Sequence, residues 1–202
     1  MTANSHLPEI YFIRHGETDW NAIGRYQGQR DIALNEVGKA QAKDNGLLLQ
    51  RLFDDKGIKA QELNWYVSPL SRAVKTFDII SNAFENENIT PIIKPELIEI
   101  SFGEFEGFLH EELKGNFEKR GERGADFWDF RPKNGENYVD LLNRVKPFIF
   151  ALSKPCIVVS HGGVGRVFRH VIEDLPKERA VNWAVPQDAI LHFNKCKMNI
   201  KK

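Results

Sequence analysis

Short apolar runs alternate along the chain with longer stretches in which apolar positions recur every three to four residues. Runs at 10–13, 65–67, 91–93, 157–159 and 189–193 have the length and composition of strands, and the first of them, Ile10-Tyr11-Phe12-Ile13, reads as a buried one. Between them the helical period predicts helices over 36–53, 70–84, 137–152 and 163–172. Strand and helix in alternation predict βα units around a largely parallel sheet, an α/β fold. No internal repeat or low-complexity linker interrupts the pattern. Residues 103–135 depart from it: rich in glycine, charge and aromatics and without a clean period, they are expected to form a lid.

Composition narrows the class. A chain of 202 residues fits one domain, 1–202. Lys and Arg number 28 against 28 Asp and Glu, with a pI near 7.0, so no excess charge is available for a polyanion and nucleic acid is not an expected partner. No apolar run approaches the ~18 residues of a membrane span. The opening residues 1–9 hold neither Lys nor Arg and no apolar core, so no secretory leader is expected and the protein is placed in the cytoplasm. Cys156 falls in a predicted strand and Cys196 near the end of the chain; neither a disulfide framework nor a CxxC pair results, and both are read as packing residues.

Charge gathers where predicted strands end. The first run stops at Arg14-His15-Gly16-Glu17, where Gly16 is expected to let the backbone approach a ligand. The second is followed by Ser68-Pro69-Leu70-Ser71-Arg72, in which Ser68 is the expected N-cap, Pro69 suits the first helical position and Arg72 lies in the first turn. The fourth leads into Ser160-His161-Gly162-Gly163, whose glycines let backbone N–H groups approach a ligand. Each group alone has a plain structural reading, as a surface pair, a solvated helix arginine or a capped core histidine. Jointly they place cations at helix N-termini, against the macrodipole, unless an anion offsets them. In an open α/β sheet such junctions meet at the carboxyl ends of the strands, where two arginines, two histidines and free amides suit a dianionic phosphate.

The motifs RHGETDWN (14–21), SPLSRAVKT (68–76), LIEISFGEFEG (97–107) and VVSHGG (158–163) resemble, in order and spacing, the histidine phosphatase superfamily in its phosphoglycerate-mutase-like branch. Thr18 and Asn21 favour that branch. The resemblance implies a three-layer α/β/α sandwich around a mostly parallel sheet with an inserted lid at about 103–135, a phosphohistidine intermediate, and neither metal nor cofactor. Carried over residue by residue, it makes His15 the nucleophile, with Arg14, Arg72 and His161 on the phosphoryl oxygens, Asn21 and the Gly162 amide completing the cradle, and Glu99 the proton donor. Mutases of this branch carry Tyr where Phe102 stands, Lys where His110 stands, and an adjacent Arg pair that 103–135 lacks. Phe102 cannot donate a hydrogen bond, so hydrolysis of a phosphomonoester is expected over isomerisation. The alternatives are a mutase and a phosphate- or partner-binding domain without turnover, the latter disfavoured by an intact proton donor. Phe102, Phe105, Phe108, Trp128 and Phe130 offer an apolar lid wall or internal packing, and Arg120, Arg123 and Arg131 a second anion contact or a solvated face. The expected substrate is a small phosphorylated metabolite, with phosphoproteins a second class; no oligomeric state is assigned.

Overall fold

The computed structural model describes residues 7–113 and 126–202. One sheet holds β1 (Ile10–Arg14), β2 (Asn64–Val67), β3 (Pro91–Ile93), β4 (Cys156–Ser160), β5 (Ile190–Asn194) and β6 (Lys197–Lys201), in the order β3-β2-β4-β1-β5-β6. The β3-β2-β4-β1 part is parallel, and β5 and β6 join it antiparallel. Along β1 the side chains alternate: Ile10 and Phe12 pack into one buried cluster, Tyr11 and Ile13 into the other. A strand covered on both faces has no polar face to show, which is why its sequence is apolar throughout.

Helices supply the two covers. On one face α2 (Glu36–Lys56) and α3 (Ser71–Ser81) bring Leu49, Phe53, Phe77 and Ile80. On the other, α5 (Tyr138–Phe150) and α6 (Gly162–Glu173) bring Val145, Phe148, Val167 and Phe168. The result is three layers, α/β/α. The short helices α1 (Asp19–Ala22), α4 (Asp126–Asp129) and α7 (Lys177–Val181) flank the strand ends. Capping sets the helix starts: Asn35 accepts from the Gly38 amide at 2.8 Å to open α2, and Asn137 with Asp140 forms a capping box for α5.

Two expectations are corrected. Ser68 does not cap α3, which begins at Ser71, where the Asp31 carboxylate accepts from both the Ser71 amide and its hydroxyl at 2.8 and 2.7 Å; Ser68 is engaged elsewhere. Strand β6 went unread, and it makes Cys196 a turn residue, not a packing one: Lys195 and Cys196 have φ of 49° and 62°, the left-handed pair a two-residue type I′ hairpin loop requires. Cys156, by contrast, is buried, and burial pushes its thiol up to about 12. The aromatics of 103–135 are largely internal packing. Trp128 is buried and stacks on Tyr138 at 5.0 Å, Phe105 and Phe130 stack on each other at 5.9 Å, Phe108 is exposed, and only Phe102 of the five borders the main cavity. Arg131 pairs with Asp140 at 2.6 Å; Arg120 and Arg123 lie outside the described residues.

Candidate active site

The carboxyl ends of the parallel strands open onto a cavity of about 380 Å³ lined by Arg14, His15, Asn21, Arg72, Glu99, Phe102 and Gly162, all singled out from the sequence. His161 stands just behind, its ring centroid 5.1 Å from that of His15. The eight residues come from the ends of β1 and β4, the first turn of α3 after β2, helix α1, and the segment after β3.

A hydrogen bond orients each imidazole, and that of His15 also fixes its tautomer. Nδ1 of His15 lies 2.7 Å from the Gly16 carbonyl, which can only accept, so Nδ1 carries the proton. Nε2 is then bare, and the Nε–H of Arg72 donates to it at 3.2 Å. Burial, then Arg72 and Arg14, hold this imidazole well below its ordinary value of 6.5. Nε2 of His161 lies 2.6 Å from the Ser68 hydroxyl, while its Nδ1 is buried with no partner among the described residues. The Ser68 hydroxyl can donate to Nε2 or accept from it, so this bond orients the His161 ring without choosing its tautomer. Burial, then Arg72, His15 and Arg14, keep His161 low as well.

The arginines are held by carbonyls, not by carboxylates. Arg72 donates to Gly28 O and Arg30 O, both at 2.8 Å, and Arg14 to Val185 O at 2.7 Å, with Arg14 Nε buried and unpartnered among the described residues. Burial, partly offset by Glu99, pushes Arg14 down to about 10, so it stays cationic at neutral pH. Asn21 Oδ1 accepts from Thr18 N and from Gln187 Nε2, each at 3.2 Å, which turns its amide donors to other use. Glu99 Oε1 accepts from Ile100 N at 2.9 Å, and both its oxygens lie 3.1 Å from Gly163 N. The Glu99 carbonyl is anchored by Arg144 and Gln29 at 3.0 and 3.1 Å.

The glycines divide by role. A Cβ on Gly163 would lie 2.4 Å from Glu99 Oε1, so Gly163 gives Glu99 its seat at the start of α6. Gly16, expected to open the backbone to a ligand, serves packing instead: a Cβ there would lie 2.1 Å from Gly38 O, and its N–H goes to Thr76 Oγ1 at 3.1 Å. Sequence reading missed Arg166, Tyr26, Tyr138 and Gln187 in the lining, and the service of Ser68 and Arg144. Arg166 had a signal, since four residues after Gly162 puts it on the same face of α6; the others are brought in from elements distant in sequence, Tyr138 and Arg144 from α5.

The buried imidazoles have a consequence for stability. Both have folded values below 6.5, so as pH falls past 6.5 the unfolded chain takes up protons that the folded one refuses. Stability is complete above about pH 6.5 and declines below it. Thermal melts of the unliganded protein should show Tm falling from pH 7.5 to 5.5; a flat or rising Tm would contradict the neutral, buried pair.

A family model described as the histidine phosphatase superfamily (branch 1) matches residues 10–199. Phosphoserine phosphatase 1 of Hydrogenobacter thermophilus is 34% identical over 166 residues, 77% of this chain and 71% of that protein. The phosphoglycerate mutase of Schizosaccharomyces pombe is 28% identical over 192 residues, 90% of this chain and 87% of that one. Among solved structures, a mycobacterial glucosyl-3-phosphoglycerate phosphatase in complex with VO3 superposes with a TM-score of 0.76 over 96% of this chain and 97% of its own, at 22% identity, a likeness of fold.

Proposed function

The chain belongs to the histidine phosphatase superfamily, and from that premise we propose that it is a phosphomonoester hydrolase working through a phosphohistidine on His15, with residues 1–202 as one catalytic domain. The observation that carries this is the bare Nε2 of His15, its Nδ1 proton tied to Gly16 O and two arginines free of carboxylates beside it. Such a ring is nucleophilic at neutral pH.

In the reaction, Arg14, Arg72, the Asn21 amide, the Gly162 N–H and His161 hold the phosphoryl oxygens. Nε2 forms the bond to phosphorus as the ester oxygen leaves, and Glu99 gives that oxygen its proton. Backbone N–H groups seat the Glu99 carboxyl, Ile100 N on Oε1 and Gly163 N shared between both oxygens, and so aim it at the leaving group. Water then attacks the phosphoryl group in line, Glu99 takes its proton, and His15 is restored neutral. Preorganised donors of this kind contribute roughly 3 kcal/mol each to the transition state.

A cavity of about 380 Å³ lies at the small end of ligand sites and suits a small metabolite over a protein side chain presented on a surface. The two cysteines are unbridged, which fits a reducing cytoplasm. Hydrolysis is favoured over isomerisation because Phe102 lacks a hydroxyl and Arg131 is committed to Asp140. Without a clamp the dephosphorylated acid escapes before it can be rephosphorylated.

The test is product analysis by phosphorus NMR. Incubation with 3-phosphoglycerate, with and without a bisphosphoglycerate primer, should give free phosphate and little 2-phosphoglycerate; isomerisation outpacing phosphate release would make the enzyme a mutase. EDTA should leave the rate unchanged, because Arg14 and Arg72 supply the positive charge a metal would bring. A requirement restored by Mg²⁺ or Mn²⁺ would mean that the cradle is misassigned.

A further inference from the structure

Residues 98–102, which carry Glu99, belong to no helix or strand and lie between two single 3₁₀ turns, Pro95–Leu97 and Gly103–Phe105. No sheet ladder holds this backbone, so its polar groups must be met from elsewhere. One side chain meets two of them. Arg144, in the second turn of α5, donates from Nη1 to Glu96 O at 2.7 Å and from Nη2 to Glu99 O at 3.0 Å. The same guanidinium is bidentate on Glu136, Nε to Oε1 at 3.0 Å and Nη2 to Oε2 at 3.1 Å. Glu136 in turn reaches the segment one step further on: its Oε2 accepts from Ser101 N at 2.9 Å, and its own N–H donates to Ser101 O at 2.8 Å. Neither Arg144 nor Glu136 lines the main cavity, so neither touches the reacting atoms.

We infer that the Arg144–Glu136 pair positions the acid, holding the Glu99 carboxyl at the distance from which it can protonate the departing ester oxygen. The inference rests on the phosphatase reading and adds the residues through which its proton donor works. The Glu99 carboxyl takes one N–H from its own segment, Ile100 N, and one from the start of α6, Gly163 N. It bridges two elements, and its place is set only if those elements keep their spacing. Arg144 keeps it. Helix α5 packs on α6 through one buried cluster, Val145 and Phe148 against Val167 and Phe168, so a clamp rooted in α5 ties residues 96–101 to the layer that carries Gly163.

The pair suits this work better than it suits stabilising the fold. Its side chains are 21% and 24% exposed, and an ion pair partly withdrawn from water gains little net stability, because desolvation offsets the attraction. What it supplies is geometry. A planar guanidinium can address a carboxylate and two carbonyls three residues apart at once, whereas a lysine presents three donors from a single point. Gln29, whose Nε2 also donates to Glu99 O at 3.1 Å, would remain in a variant, so the segment would loosen and not detach. Proton transfer requires hydrogen-bond reach, and a displacement of about 1 Å can cost about 10² in rate.

The experiment is single-turnover phosphorylation of Arg144→Lys and Glu136→Gln by an alkyl ester, glycerol 1-phosphate, and an aryl ester, p-nitrophenyl phosphate. Arg144→Lys should slow the alkyl ester by about 10- to 100-fold and the aryl ester by less than about threefold, since only the alkoxide needs the acid. Glu136→Gln should move the same ratio in the same direction by less, because its oxygen can still accept from Ser101 N. In a Glu99→Gln background, Arg144→Lys should cost the alkyl ester less than about a further twofold, the proton it positions being already gone. Equal losses on the two esters would mark the pair as scaffold and overturn the inference. So would alkyl rates within about twofold of the parent in both variants, or a loss that adds in full to that of Glu99→Gln. Should Arg144→Lys fail to fold by circular dichroism, the milder Glu136→Gln decides alone. Failure of the phosphatase reading looks different, as no turnover of any ester by the unaltered protein, p-nitrophenyl phosphate included, and it would take this inference with it.

Discussion

Replacing His15 with alanine should lower turnover of every phosphomonoester by about 10⁴-fold or more, the scale seen when an enzyme loses its nucleophile. Nothing else in the cavity can take over. His161 stands behind His15, outside the cavity lining, with its Nε2 engaged by Ser68 at 2.6 Å. The fold should tolerate the change. His15 is buried beside two cations and serves the ligand, not either apolar cluster, so its removal also lifts part of the acid sensitivity. The variant should melt within a few degrees of the parent at pH 7.5 and lose less stability by pH 5.5. Residual activity within about tenfold of the parent would assign the nucleophile elsewhere.

Glu99→Gln should separate substrates by leaving group. A glutamine oxygen can still accept from Ile100 N and Gly163 N, so the side chain keeps its seat. It has no acidic proton to give. Alkyl phosphates, whose alkoxides leave poorly, should lose about 10² to 10⁴ in single-turnover phosphorylation. With p-nitrophenyl phosphate, whose phenolate leaves unaided, the loss in that step should be under about tenfold. Because the same carboxylate activates water in the second step, the variant should show a burst of one equivalent of p-nitrophenol followed by slow turnover. Equal losses on both substrate types would remove Glu99 from the acid's role.

What the sequence made legible follows from what is local. Strands β1, β4 and β5 were visible because buried runs are apolar over nearly their whole length, and β2 and the exposed β3 because short apolar runs of strand-forming residues mark them. The three junctions were visible because each packs its charged residues within a few positions of a strand end. Residues 197–201 were not, since a strand at the exposed edge of a sheet carries lysines at Lys197 and Lys201 and looks like a solvated tail. Ser68 was misread because a serine before a proline is a good local cap, while its actual partner, His161, is 93 residues away. Gly16 looked like part of a ligand loop because its true constraint, the backbone of Gly38, belongs to another element. Arg166 could have been read from its spacing alone, four residues after Gly162 on the same face of α6. The lid aromatics show the same limit: composition cannot say whether Trp128 faces a ligand or Tyr138.

The central claim is a covalent phosphohistidine, and acid-sensitive chemistry can display it directly. Enzyme quenched in alkali during turnover of a ³²P-labelled phosphomonoester should carry label that survives base, is lost in acid, and maps to His15; phosphorus NMR of the digested peptide should place it on Nε2, the nitrogen left bare by the Gly16 hydrogen bond. Label on a serine or an aspartate, label on Nδ1, or turnover with no labelled protein at any time would contradict the account.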